Sequence, residues 1–135
     1  MSARGKARNL ALDFLYEADL RGKTATDLLR ERGTGELSQG DYVQQLLSGV
    51  LEHRTKIDEI ITTYAEGWDL DRMPPIDRNI LRIAIYEVLW ESELDDQIAV
   101  SQAIELAQEL STDDSAKYVN GVLGRIIALK STFAL

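Results

Sequence analysis

Apolar residues in this chain recur with the period of a helix. Ala7, Leu10, Ala11, Phe14, Leu15 and Ala18 form one stripe, ended by Gly22. Residues three and four apart share a helix face, so the stripe predicts an amphipathic helix. Thr26 is placed to cap a short helix through Arg32, stopped by "GTG" at Gly33 to Gly35. Ser38 with Asp41 resembles a capping box, with Asp where Glu or Gln is usual. Tyr42, Val43, Leu46, Leu47, Val50 and Leu51 then keep helical spacing, and Ile57, Ile60, Ile61 and Tyr64 resume it toward Gly67. A bend is expected near Arg54.

The stretch "DLDRMPPID" is the clearest break. Pro75 fits the first turn of a helix, where its missing N–H costs nothing. The run "IDRNILRIAIYEVLW" that follows is apolar on nearly every side, as a helix surrounded by others must be. After "SELDD", Val100, Ala103, Ile104, Ala107 and Leu110 point one way, and a last helix runs from about Ser115 to Lys130. Nothing alternates with the period of a strand. The pattern predicts an all-α compact bundle of six or seven helices in one domain over residues 1–135. Two three-helix halves meeting near Met73 to Pro75 would share one core.

One segment is irregular. "AKYVNGVLGRI" carries Asn120-Gly121, a strong turn signal, inside the apolar helical stripe of Val119, Val122, Leu123, Ile126 and Ile127. A helix-interior glycine costs roughly 1 kcal/mol relative to alanine. Close packing of another helix backbone against Gly121 and Gly124 would offset that cost. Lys117, Tyr118 and Arg125 cannot all face the core and need another account.

Composition then limits the chemistry. At 135 residues, 44% of them hydrophobic, the chain is long enough to bury a sizeable core. It has no cysteine and one histidine, His53, so disulfides, thiolate chemistry and a zinc site are not expected, and a reducing cytosol agrees. Asp13 interrupts the N-terminal apolar stretch, which argues against an export signal. No run approaches the roughly 18 apolar residues that span a bilayer. Phosphate-loop, dinucleotide and hydrolase-elbow motifs are missing. Asp95-Asp96 and Asp113-Asp114 precede helices, where carboxylates cap free N–H groups. No cofactor and no catalysis is expected.

The net charge of −8 argues against nucleic-acid binding over the whole surface. Its distribution says more. Eight acids and no Lys or Arg lie between Glu91 and Ala116, whereas Arg4, Lys6 and Arg8 precede any acid and Lys117, Arg125 and Lys130 follow the last. Solvated charge on ordinary surface helices is one reading of this division. The other is one face for an anion and another for a basic partner. Arg4 and Arg8 share a helix face, with Tyr16 two turns beyond Arg8. Cations with interleaved aromatics suit single-stranded RNA, where cations neutralise phosphates and rings stack on unpaired bases.

Three stretches carry a family resemblance: "RGKARNLALDFLYE", "DRNILRIAIYEVLW" and "AIELAQELSTDDSAKYVNGVLGRI". Together they resemble the bacterial transcription antitermination family NusB, over nearly the whole chain and least between Gly22 and Gly40. The resemblance implies two packed helical subdomains and no catalysed reaction. It implies cytoplasmic binding of boxA RNA together with the ribosomal protein NusE, within the RNA polymerase antitermination complex of ribosomal RNA operons. Monomeric and homodimeric forms both occur in the family. On this chain Arg4, Lys6 and Arg8 fall on the basic N-terminal motif, and Tyr16 on an aromatic near RNA and partner. Lys117 and Tyr118 match a basic-aromatic pair that meets RNA, with Asn120 and Arg125 beside them. Asp77 matches an acid at the NusE side, and Asp114 one near the junction of partner and RNA. The family motif is often a denser run of arginines, whereas Gly5 and Ala7 separate the three cations here.

A second reading is an acidic protein–protein adaptor for a basic partner, with RNA incidental. A third, the NusB-like domain fused to RNA cytosine methyltransferases, would need a cofactor-binding domain that these 135 residues do not contain.

Overall fold

Helix signals in the sequence become seven α-helices among the described residues, 2–135, of the computed structural model. They are α1 (Ala3–Arg21), α2 (Ala25–Arg32), α3 (Gly40–Glu52), α4 (Arg54–Tyr64), α5 (Pro75–Trp90), α6 (Asp96–Leu110) and α7 (Asp113–Ala128). Short 3-10 turns at Leu70–Arg72 and Lys130–Thr132 complete the regular structure, and there is no strand among the described residues. The all-α expectation holds.

The chain divides into two compact units, Met1–His53 and Arg54–Leu135. This boundary lies well before the Met73 to Pro75 break. In the first unit α1 packs on α2 and α3. Its core includes Leu12, Leu28, Val43, Leu46 and Val50, all fully buried. Gly22 ends α1 at φ 68°, a left-handed conformation that glycine adopts without strain, and its N–H bonds Ala18 O at 3.0 Å.

In the second unit α5 and α7 pack on each other and on α4 and α6, and α6 also packs on α7. α4 is therefore bound to the elements after it, which is why the boundary falls at His53. Pro75 opens α5, and every residue from Asn79 to Leu89 is buried. Its polar members are held by partners. Arg82 reaches Asp58 at 2.9 Å, Asn79 Oδ1 at 3.0 Å accepts from the same guanidinium, and Asn79 Nδ2 donates to Pro75 O. Asp95 caps α6 by accepting from Gln97 N at 2.7 Å.

Capping differs in detail from the expectation. Thr24 rather than Thr26 caps α2, accepting from Asp27 N at 3.2 Å. Ser38 caps nothing: α3 begins after Gln39, without a side-chain cap. His53 closes α3 at its C-terminus.

Candidate nucleic-acid interface

In the first unit, the entry to α1 brings a cation onto a ring. The Arg4 guanidinium carbon lies 4.3 Å from the Tyr42 ring centroid and that of Arg8 lies 5.7 Å from it, both within cation–π range. The two arginines therefore share a face, as their spacing predicts. They differ in exposure. Arg4 and Lys6 are open to solvent, whereas Arg8 is only 3% exposed. Arg8 falls on the same side of α1 as the buried Leu12 and Leu15.

Tyr16 is half-buried and lines an open hollow of about 650 Å³ with Phe14, Glu17, Leu20 and Arg32. Glu17 is clamped by Arg32, at 2.7 and 2.5 Å, and by Arg21 at 2.8 Å. Those hydrogen bonds hold its carboxyl down to about 2. Twelve residues separate Arg4 from Tyr16, so the ring points about a third of a turn away from Arg4. Tyr42, not Tyr16, is the aromatic that meets the basic start.

In the second unit, Thr112 starts α7 by accepting from Ser115 N at 3.0 Å. Asp113 and Asp114 occupy the first turn, favourable at the positive end of a helix, and Asp114 is exposed. Lys117, Asn120, Gly121 and Gly124 follow at helical spacing on the solvent side. The close-packing account of the glycines fails. An added methyl would meet nothing within 4 Å at Gly121 or at Gly124.

Tyr118 is half-buried against Trp68, with ring centroids 5.7 Å apart and planes at 40°. Its hydroxyl donates to Glu66 O at 3.3 Å. Burial pushes its pKa up, and the nearby Arg125 opposes this. Arg125 pairs with Glu66 at 3.2 Å. Tyr118, Arg125, Glu66 and Trp68 thus form one cluster at the end of α4.

Asp77 is 1% exposed and accepts a 2.7 Å hydrogen bond from Ser115 Oγ, so it fastens α7 to α5 from inside. A carboxylate excluded from water requires such a donor. Its other oxygen is buried without a protein partner.

Ion pairing sorts the 15 Lys and Arg residues. Among the described residues, ten have a carboxylate within ion-pair distance: Arg21, Lys23, Arg30, Arg32, Arg54, Lys56, Arg72, Arg82, Arg125 and Lys130. Arg8 and Arg78 make other interactions. Arg4, Lys6 and Lys117 have no acidic partner among the described residues, in a chain with 23 acids. All three are exposed and all three are positions singled out from the sequence. Trp68 and Tyr42 were not singled out. A tryptophan in the polar stretch "EGWDL" was the available signal for the first; Tyr42 is indistinguishable from core in its stripe.

No group of three or more His, Asp and Glu among the described residues could hold a metal ion. No helix of the described residues is long and apolar enough to cross a membrane.

Comparison with known proteins gives a consistent result. The sequence model of the NusB family matches residues 5–128. The transcription antitermination protein NusB of Kineococcus radiotolerans is 48% identical over 99% of both chains. That of Nocardioides sp. is 47% identical over 99% of this chain and 100% of its own. Among solved structures, T. maritima NusB superposes with a TM-score of 0.87 at 30% identity, covering 95% of this chain and 92% of that one. A structure of antitermination factors NusB and NusE in complex with dsRNA gives 0.82 at 26% identity, covering 95% and 98%.

Proposed function

The chain belongs to the NusB family, and from that premise we propose that it is a cytoplasmic transcription antitermination factor. It binds boxA RNA together with the ribosomal protein NusE and catalyses no reaction. One observation carries the RNA part. In an acidic protein, exposed cations without carboxylate partners are available to phosphates, and Arg4, Lys6 and Lys117 are such cations. Phosphate contacts position a nucleic acid, and aromatic rings hold its unpaired bases.

On this reading Arg4 and Lys6 take phosphates in the first unit, with Arg8 steadying the Tyr42 ring on which Arg4 lies. Lys117 takes one in the second, beside Tyr118, Asn120 and Arg125. The unoccupied space over Gly121 and Gly124 lets a backbone come close to α7. Asp114, exposed and acidic beside this strip, limits affinity for RNA alone and suits a basic partner. NusE then completes a binding surface that this chain holds only in part.

The test is a titration of labelled boxA-type RNA with the protein, alone and with purified NusE. NusE should tighten binding beyond its own affinity for the RNA. If no RNA binds in either case, the reading is wrong and the acidic-adaptor alternative takes its place.

A further inference from the structure

Trp68 is kept at the surface by two tethers. It follows α4 in a turn where Gly67 has φ 85°, and it is 44% exposed. The Tyr118 hydroxyl bonds the carbonyl of Glu66, two residues earlier, and the Glu66 carboxylate pairs with Arg125. Both anchors come from α7. The indole lies obliquely against the Tyr118 ring, and it borders an open hollow of about 980 Å³ lined also by Thr62, Ala65, Glu66, Asp69, Leu70 and Arg72.

A tethered ring with 44% of its surface exposed offers a ligand apolar area to cover, and covering it is favourable. The surroundings select its class. An aromatic anchor for a protein partner sits in a well-packed apolar pocket, whereas this hollow is open and mixes Ala65 and Leu70 with Thr62, Glu66, Asp69, Asp71 and Arg72. A nucleobase needs only a ring to stack on and a nearby cation for its phosphate. Lys117, unpaired and exposed, directly precedes Tyr118.

We propose that Trp68 is a base-stacking residue of this protein, with Tyr118 behind it as the positioning ring, and that the ligand is an unpaired base of single-stranded RNA. This rests on the RNA-binding reading above and adds to it a contact residue and a requirement for unpaired bases. The Tyr118 hydroxyl acts by holding the Glu66 carbonyl, not by touching RNA.

Trp90 is the only other tryptophan, so Trp90→Phe protein reports Trp68 alone by fluorescence. Titration with a single-stranded RNA of about 12 nucleotides, within the usual site sizes, should quench that emission with the same midpoint as anisotropy of labelled RNA. A fully paired duplex of the same sequence should leave it unquenched. Trp68→Ala should weaken single-strand binding about fivefold to a hundredfold, while Trp68→Phe retains most of it. RNA binding without quenching, or with unchanged affinity in Trp68→Ala, would overturn the platform and leave the RNA reading standing. Emission that responds to NusE alone and not to RNA would assign the ring to the protein partner and overturn it too. Absence of RNA binding with and without NusE would remove both proposals together.

Discussion

The Ser115 hydroxyl donates to Asp77 Oδ2 at 2.7 Å, tying the first turn of α7 to the first turn of α5 across 38 residues of sequence. Ser111 and Thr112 in turn donate to Ser115 Oγ, each at 3.0 Å. A chain of hydroxyls therefore ends on a carboxylate buried to 1%. The start of α7, where Lys117 and Tyr118 follow, takes its position from this chain.

Replacing Asp77 by alanine should destabilise the protein by about 1.5–3 kcal/mol, the range for hydrogen bonds to charged groups. Asp77→Asn should lose less, since an amide oxygen still accepts from Ser115. Urea unfolding of both variants measures this. NusE affinity of the folded protein should stay unchanged. Loss of NusE binding with stability intact would instead place the carboxylate in the partner contact.

Salt dependence counts the phosphate contacts. With three unpaired cations and about −0.7 per contact for a single strand, log K against log salt should have a slope near −2. Arg4→Gln, Lys6→Gln and Lys117→Gln should each flatten it by about 0.7. Lys130→Gln is the control, because Lys130 already pairs with Asp96 at 3.0 Å. A slope that responds equally to Lys130 would show that general surface charge, not three particular cations, attracts the RNA.

The helices were legible because apolar period and turn residues agree along most of the chain, as at Gly22, "GTG" and Pro75. What the pattern could not reveal was polar burial. Arg8, Asp77, Asn79, Arg82 and Glu87 are all at 3% exposure or less. Periodicity treats each as surface, whereas a long-range partner can hold it inside: Asp58 for Arg82, Ser115 for Asp77. Arg4 and Lys6 were legible for the opposite reason, since no acid stands before Asp13, and Lys117 because no acid follows it. Trp68 escaped notice because its significance lies in a ring 50 residues away.

Acid should act through Glu17. Hydrogen bonds from Arg32 and then Arg21 hold its carboxyl at about 2, below its ordinary 4.5. A carboxyl depressed by folding contributes stability that is present in full above its ordinary pKa and fades as pH falls toward the folded value. Glu17→Gln should therefore lower the melting temperature most at pH 6 and least near pH 2. The gap should narrow between about pH 4.5 and 2 and shrink with added salt, as exposed pairs are screened. A gap independent of pH would mean that the glutamate acts through packing.

Gly121 and Gly124 separate stability from binding. Each sits inside α7, each is exposed, and apart from its chain neighbours and the helix's own backbone neither has an atom within 4 Å of where a methyl would go. Alanine there should fit without strain and raise stability by up to about 1 kcal/mol per site, by helix propensity and a less disordered unfolded chain. If RNA lies against this strip, the same methyl stands where the ligand's backbone approaches. Gly121→Ala should then melt at a higher temperature and bind RNA more weakly, two effects of opposite sign from one carbon atom. Thermal unfolding and an RNA titration on the same sample measure both. Higher stability with undiminished binding would free the glycine strip from any contact with RNA and move the ligand toward the aromatic side of α7.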